Sequence, residues 1–141
     1  MGSGTHGNQL NAVAVVSAND VWAVGFSPHP SGTPLYIRQT LIEHWDGRSW
    51  SIIPSPSPGT YNGNILTAVV AIAANDVWAV GDNGQTQHWN GADWSRVAAP
   101  YPGLGGRFNS VAAASASDVW AVGSYTDGNQ WLTWIDRYTV P

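Results

Sequence analysis

Asp20-Val21-Trp22-Ala23-Val24-Gly25 recurs without change as Asp76 to Gly81 and as Asp118 to Gly123, and these three hexapeptides decide how the chain is read. Chance does not place three identical hexapeptides in 141 residues, so the chain is an internal repeat. The copies extend upstream through Ala18-Asn19, Ala74-Asn75 and Ala116-Ser117, and before those through the apolar runs Val13 to Val16, Val69 to Ile72 and Val111 to Ala114. Downstream, Glu43-His44-Trp45-Asp46-Gly47-Arg48-Ser49-Trp50 matches Gln87-His88-Trp89-Asn90-Gly91-Ala92-Asp93-Trp94. The third copy reads Leu132-Thr133-Trp134-Ile135-Asp136-Arg137-Tyr138. It lacks the turn Gly, and the match sets Thr133 against the His positions, Trp134 against Trp45 and Trp89, and Tyr138 against Trp50 and Trp94.

The hexapeptides are 56 and then 42 residues apart, the difference lying mainly in the Pro/Gly/Ser-rich insertion from Phe26 to Tyr36. Repeats of this length fit propeller blades, and the short runs bounded by Gly, Pro, Asn and Asp fit strands better than helical repeats. In the second copy the strands are expected at Leu66 to Ile72, Val77 to Gly81, Thr86 to Trp89 and Trp94 to Val97. Asn and Asp before Gly are expected to supply the positive φ that the tight hairpin turns between them need. The first two strands are apolar on both faces, as suits a sheet sandwiched between neighbours. A helix over Leu66 to Val80 is the rival reading, opposed by the β-branched residues Val69, Val70 and Ile72. The expected fold is all-β: a propeller of four-stranded antiparallel blades. An extension covers residues 1–7, with blades over 8–59, 60–105 and 106–141. The last blade is expected to run through a final strand at Thr139 to Pro141, and Gly103-Leu104-Gly105-Gly106 reads as a linker.

Charged residues make up only 10% of the chain, all 5 basic residues are Arg, and the net charge is -4, so there is no basic face for nucleic acid. With 0 Cys there is no disulfide, thiolate zinc site or Cys nucleophile. Met1-Gly2-Ser3-Gly4 has neither a basic nor an apolar leader region. The most apolar stretch, Leu66 to Val80, is broken by Asn75 and Asp76 and is shorter than the ~20 residues of a membrane span, so no membrane partner is expected. Nothing in the sequence assigns a compartment.

The succession Asp-Val-Trp-Ala-Val-Gly, short polar loop, His88-Trp89-Asn90-Gly91-Ala92-Asp93-Trp94 resembles tectonin-type propeller repeats, and Trp45-Asp46-Gly47-Arg48-Ser49-Trp50 looks like the hairpin of fucose-binding propeller lectins. The resemblance covers residues 9 to 141 and implies glycan binding between or on top of blades. A basic residue and a carboxylate in every blade would complete the lectin pattern; Arg38 and Glu43 occur in the first copy only, with Gln85 and Gln87 in the comparable stretch of the second.

Residues identical in all copies, Trp22, Trp78 and Trp120 with Asp20, Asp76 and Asp118, read as fold requirements, the carboxylates accepting backbone N–H bonds after a tight turn. The outer-hairpin aromatics read as cross-strand pairs. His44 and His88 sit on different blades without clustered ligands, and Asp82-Asn83-Gly84 is too short for a calcium loop, so neither metal nor other cofactor is expected. No Gly-x-Ser-x-Gly or phosphate loop is present, and Asp127 and Asp136 are not placed across one cleft by anything in the sequence. The chain therefore reads as non-enzymatic. Ligand contacts are expected where the copies differ, on the rim formed by the second-to-third-strand loops, with Tyr36, Arg38, Glu43, Tyr125, Asp127 and Trp131 as candidates beside Phe26 and His29.

Known propellers close with 4 to 8 blades, and a blade at an open end exposes an apolar face. Two copies of three blades give a six-bladed ring and three copies give nine, so the expected partner is a second copy, a dimer rather than a trimer, with a glycan as ligand. The alternative is a reconstructed or partial propeller scaffold whose only property is assembly.

Overall fold

The computed structural model describes residues 7–28, 38–58, 63–98, 102 and 104–139. Every regular element among them is a strand, in three antiparallel sheets. The first sheet holds β1 (Gln9–Ser17), β2 (Asp20–Pro28), β3 (Arg38–Trp45) and β4 (Trp50–Ile52) in that order. The second repeats it with β5 (Leu66–Ala73), β6 (Asp76–Gly81), β7 (Thr86–Trp89) and β8 (Trp94–Arg96). The third holds β9 (Leu104–Ser115), β10 (Asp118–Thr126) and β11 (Trp131–Tyr138). In the second copy each strand end falls within one residue of the sequence reading, and the helical alternative fails, as its β-branched run predicts.

Within the hexapeptide the side chains alternate between faces, and in the second sheet both faces are covered. Trp22, Val24 and Ile42 of the first sheet meet Leu66, Val77, Ala79 and Trp94 of the second in one buried cluster. Ala68 and Val80 of the second sheet meet Phe108, Ala121 and Trp134 of the third in another. So Trp and the second Val face the following sheet, while the first Val and the Ala face the preceding one. The strands β1, β5 and β9 lie side by side along one axis. This is the stacking of β-propeller blades.

The final Gly of the hexapeptide has a steric cause. A Cβ on Gly25 would lie 1.8 Å from the Gln9 carbonyl oxygen, and on Gly81 or Gly123 it would lie 1.9 Å from the carbonyl oxygens of Ile65 and Arg107. At each of these points the register to the axial strand slips, at Leu10/Ala12, Leu66/Ala68 and opposite Val122/Gly123, so a β-bulge brings two backbones into contact. The turns differ in detail from the sequence reading. Asn83 and Gly84 both take positive φ, whereas at Asp46-Gly47 and Asn90-Gly91 only Gly does. There the Asp or Asn oxygen instead accepts two backbone N–H bonds at 2.8 and 2.9 Å.

The third copy departs from its expected alignment by four residues. In the first two sheets the hexapeptide's first Val pairs with Trp45 or Trp89 and its Trp pairs with His44 or His88. In the third sheet Val119 pairs with Tyr138 and Trp120 with Arg137. Tyr138 therefore occupies the Trp45 and Trp89 position, Arg137 the His position, and Trp134 the position of Leu41 and Gln85. Matching Trp to Trp misled the alignment, because Trp134 is a core residue stacked on Phe108 at 4.3 Å. In this register the third sheet has three strands among the described residues: Thr139 lies outside β11, and residues 140 and 141 are outside the described set. Of the stretch read as a linker, Leu104 to Gly106 are part of a strand, since β9 begins at Leu104.

Candidate functional site

The invariant Asp of each hexapeptide ties two strands together through side chains, not through the backbone as expected. His44 Nε2 donates to Asp20 Oδ1 at 2.8 Å, and His88 Nε2 to Asp76 Oδ1 at the same distance. Arg137 Nε donates to Asp118 Oδ1 at 2.7 Å, completing the series in the corrected register. That hydrogen bond holds the Asp118 carboxyl below its ordinary range. Asp76 also accepts from Trp78 Nε1 at 3.0 Å, while Trp22 Nε1 is buried without a partner because its ring turns toward Trp89 and Trp94 of the next sheet. These are structural latches. Among the described residues no three His, Asp or Glu side chains converge to hold a metal ion.

Of the six residues singled out by sequence, the five that are described do not come together. Tyr36 and the neighbouring His29 lie outside the described residues. Arg38 starts β3 with its guanidinium 4.6 Å from the centre of the Phe26 ring. Glu43 lines a different cavity, on the open face of the first sheet. Tyr125 packs edge-on against Trp134 in the core between the second and third sheets. The Asp127 carboxylate accepts the backbone N–H groups of Asn129 and Gln130 at 2.8 and 2.9 Å, which lowers its pKa and commits it to the β10–β11 turn. Trp131 follows that turn and is largely exposed.

Two places stand out on the surface of the described residues. One is a polar cavity of about 430 Å³ where the axial strands begin, lined by Gln9, Asn11, Arg38, Thr67, Arg107 and Asn109 together with Phe26 and Ile65. Gln9 pairs with Phe26 and Arg107 with Ser124, so this mouth opens on the same end as the second-to-third-strand connections, the rim indicated by the sequence. Arg38 was legible there. Arg107 and Asn109 were not, because they lie between the stretch read as a linker and the apolar run that starts at Val111; the readable signal was that Gln9, Ile65 and Arg107 occupy one repeat position with three different chemistries.

The other place is the pair of outer faces. Trp120, Val122 and Ile135 lie exposed on the third sheet, and Leu10, Val13, Val15, Trp50 and Ile52 on the first. Inside the stack, Trp22 sits 5.0 Å from Trp89 and 5.4 Å from Trp94, and Trp78 sits 5.4 Å from Tyr138, ring centre to ring centre. Asn11 Nδ2 donates across the first junction to the Leu66 carbonyl at 2.9 Å, and Thr67 Oγ1 donates across the second to the Phe108 carbonyl.

Stacked blades with an axial mouth and two uncovered ends define the class: part of a β-propeller. No family model and no curated protein matches the chain. Among solved structures, "YCF48 bound to D1 peptide", a β-propeller, resembles it with a TM-score of 0.59 over 92% of this chain at 15% identity. The chain spans 41% of the length of that one. At this identity the likeness carries the fold alone, and it is to a propeller rather than to a lectin-type propeller in particular.

Proposed function

We propose that the chain is a non-enzymatic propeller module that closes a six-bladed ring with a second copy and offers the β2–β3 rim for ligand binding. One observation carries this: the exposed apolar positions of the two outer faces are the equivalents of positions buried inside the stack. Trp22 and Trp78 are 1% and 3% exposed under the next sheet, while their equivalent Trp120 is 41% exposed. Trp94 is 6% exposed where it meets the preceding sheet, while its equivalent Trp50 is 47% exposed. The same relation holds for the polar staples, since Asn109 stands where Asn11 and Thr67 stand and its equivalent acceptor is the Leu10 carbonyl of the second copy.

Such contact is head to tail, and two rotations of a half-circle close it without leaving an open face. A trimer of nine blades exceeds the usual range. Sedimentation equilibrium tests the reading: it expects about 30 kDa against the 15.0 kDa of one chain, and a monomer at micromolar concentration overturns it.

For the rim, glycan recognition is supported by the exposed indole of Trp131 and by amide and hydroxyl groups at the axial mouth. The alternative, a scaffold whose only property is assembly, is favoured by the separation of the five described sequence-read residues. A glycan array on the assembled protein separates the two readings, since the scaffold reading expects no signal.

A further inference from the structure

In a chain of net charge -4 with 5 Arg and no Lys, two of the Arg line one polar cavity. The others are placed differently: Arg137 is latched to Asp118, and Arg48 and Arg96 are exposed on the outer strands and turns. We propose that the axial mouth is a binding site for an acidic sugar, with Arg38 and Arg107 receiving its carboxylate and neighbouring amide and hydroxyl groups receiving its hydroxyls. The inference deepens the glycan reading of the rim and does not depend on ring closure, because one chain supplies every residue involved.

The two guanidinium groups are held but not consumed. Arg38 lies over the face of Phe26, which orients it without neutralising it, and it makes no ion pair among the described residues. Arg107 Nε lies 3.2 Å from Asp82 Oδ1, but that oxygen has no aligned hydrogen bond, so the contact is Coulombic. The Asp82 contact is made through Nε, and the half-exposed Arg107 guanidinium carries the planar fork of terminal amino groups that suits a carboxylate. Burial raises the pKa of Asp82 against the pull of both Arg groups, and one carboxylate beside two guanidinium groups leaves the mouth basic.

The remaining wall favours a hydroxyl-rich ligand over an apolar one. Gln9 Nε2 donates to Asn11 Oδ1 at 2.7 Å, which leaves the Gln9 amide oxygen as an acceptor. Thr67 Oγ1 donates its one proton to the Phe108 carbonyl and keeps its lone pairs for a ligand O–H. A cavity of about 430 Å³ lies within the usual range for small-molecule sites.

Isothermal titration of the intact chain with sodium glucuronate, with glucose as the uncharged comparison, tests the site. The expected result is binding of glucuronate at least ~10-fold tighter than glucose, weakened at least ~10-fold by Arg38→Gln and by Arg107→Gln and unchanged by Arg48→Gln. Equal affinity for the two sugars overturns the acidic-sugar assignment while retaining a glycan site. Equal weakening by Arg48→Gln reduces the effect to general charge and overturns the site, and no binding of either sugar overturns the rim reading as well. Circular dichroism accompanies each variant; should Arg107→Gln misfold through loss of the Asp82 contact, Arg38→Gln, outside that pair, decides.

Discussion

Replacing Trp120 by Ala separates ring closure from folding. Covering Trp120 to the extent of Trp22 would take its exposure from 41% to 1%. For a side chain that buries up to ~250 Å², this is ~100 Å² removed from water, or ~2.5 kcal/mol per junction at ~25 cal/mol per Å². A ring of two chains has two such junctions, so the variant loses ~5 kcal/mol of association, more than three decades in Kd at ~1.4 kcal/mol per decade. Sedimentation across a dilution series reads this directly, with thermal unfolding as the control for the fold. Trp22→Ala provides the contrast, since it removes a fully buried indole from a junction within one chain and destabilises folding itself by ~3–5 kcal/mol. A Trp120→Ala chain that dissociates at the same concentration as the unaltered chain would refute the equivalence of the outer and inner junctions.

The repeat makes further consequences checkable. Gly81→Ala forces two backbones apart at the bulge and should lower stability by about 3 kcal/mol in denaturant unfolding, whereas Gly128→Ala, with nothing within 4 Å, carries only the strain of its positive φ. Asp76→Ala removes the acceptor of both His88 and Trp78 and should cost about 1–3 kcal/mol by the same measurement, more than Asp20→Ala, since Trp22 Nε1 has no bond to lose. Burial pushes the Tyr138 hydroxyl up to about 12, against a smaller opposing effect of its 2.8 Å hydrogen bond to Thr86. Below pH ~10 both states keep the proton; between ~10 and ~12 only the unfolded chain gives it up, so stability falls across that window. Tyr138→Phe should flatten that alkaline slope in pH-dependent unfolding.

Much of the fold was legible because the repeat restates its constraints. Three identical hexapeptides report a strand covered on both faces, and their common Gly reports a backbone contact that admits no Cβ. The second copy, with its regular turns, could be divided into strands almost to the residue. The third could not, since side-chain identity set Trp134 on Trp89 while the hydrogen-bonded register sets Tyr138 there. Aromatic residues are interchangeable within a core, so identity alone is a weak guide to register. The candidate site was only partly readable: Arg38 stands in a segment that differs between copies, but Arg107 lines the same cavity only because the first and third sheets flank the second around the axis, a placement of distant residues that no local pattern contains. Asp127, chosen for its carboxylate, is spent on its own turn.

The chain contains 0 Cys, so single introduced thiols report on contact without background. The equivalence of Asn109 with Asn11, and of Leu10 with Leu66, places residue 109 of one copy against residue 10 of the other. Asn109→Cys and Leu10→Cys chains, mixed and treated with a short bis-maleimide, should give one covalent dimer containing one chain of each kind, with neither chain cross-linking alone. Cross-linking of Asn109→Cys chains to one another, or none in the mixture, would contradict head-to-tail closure of the ring.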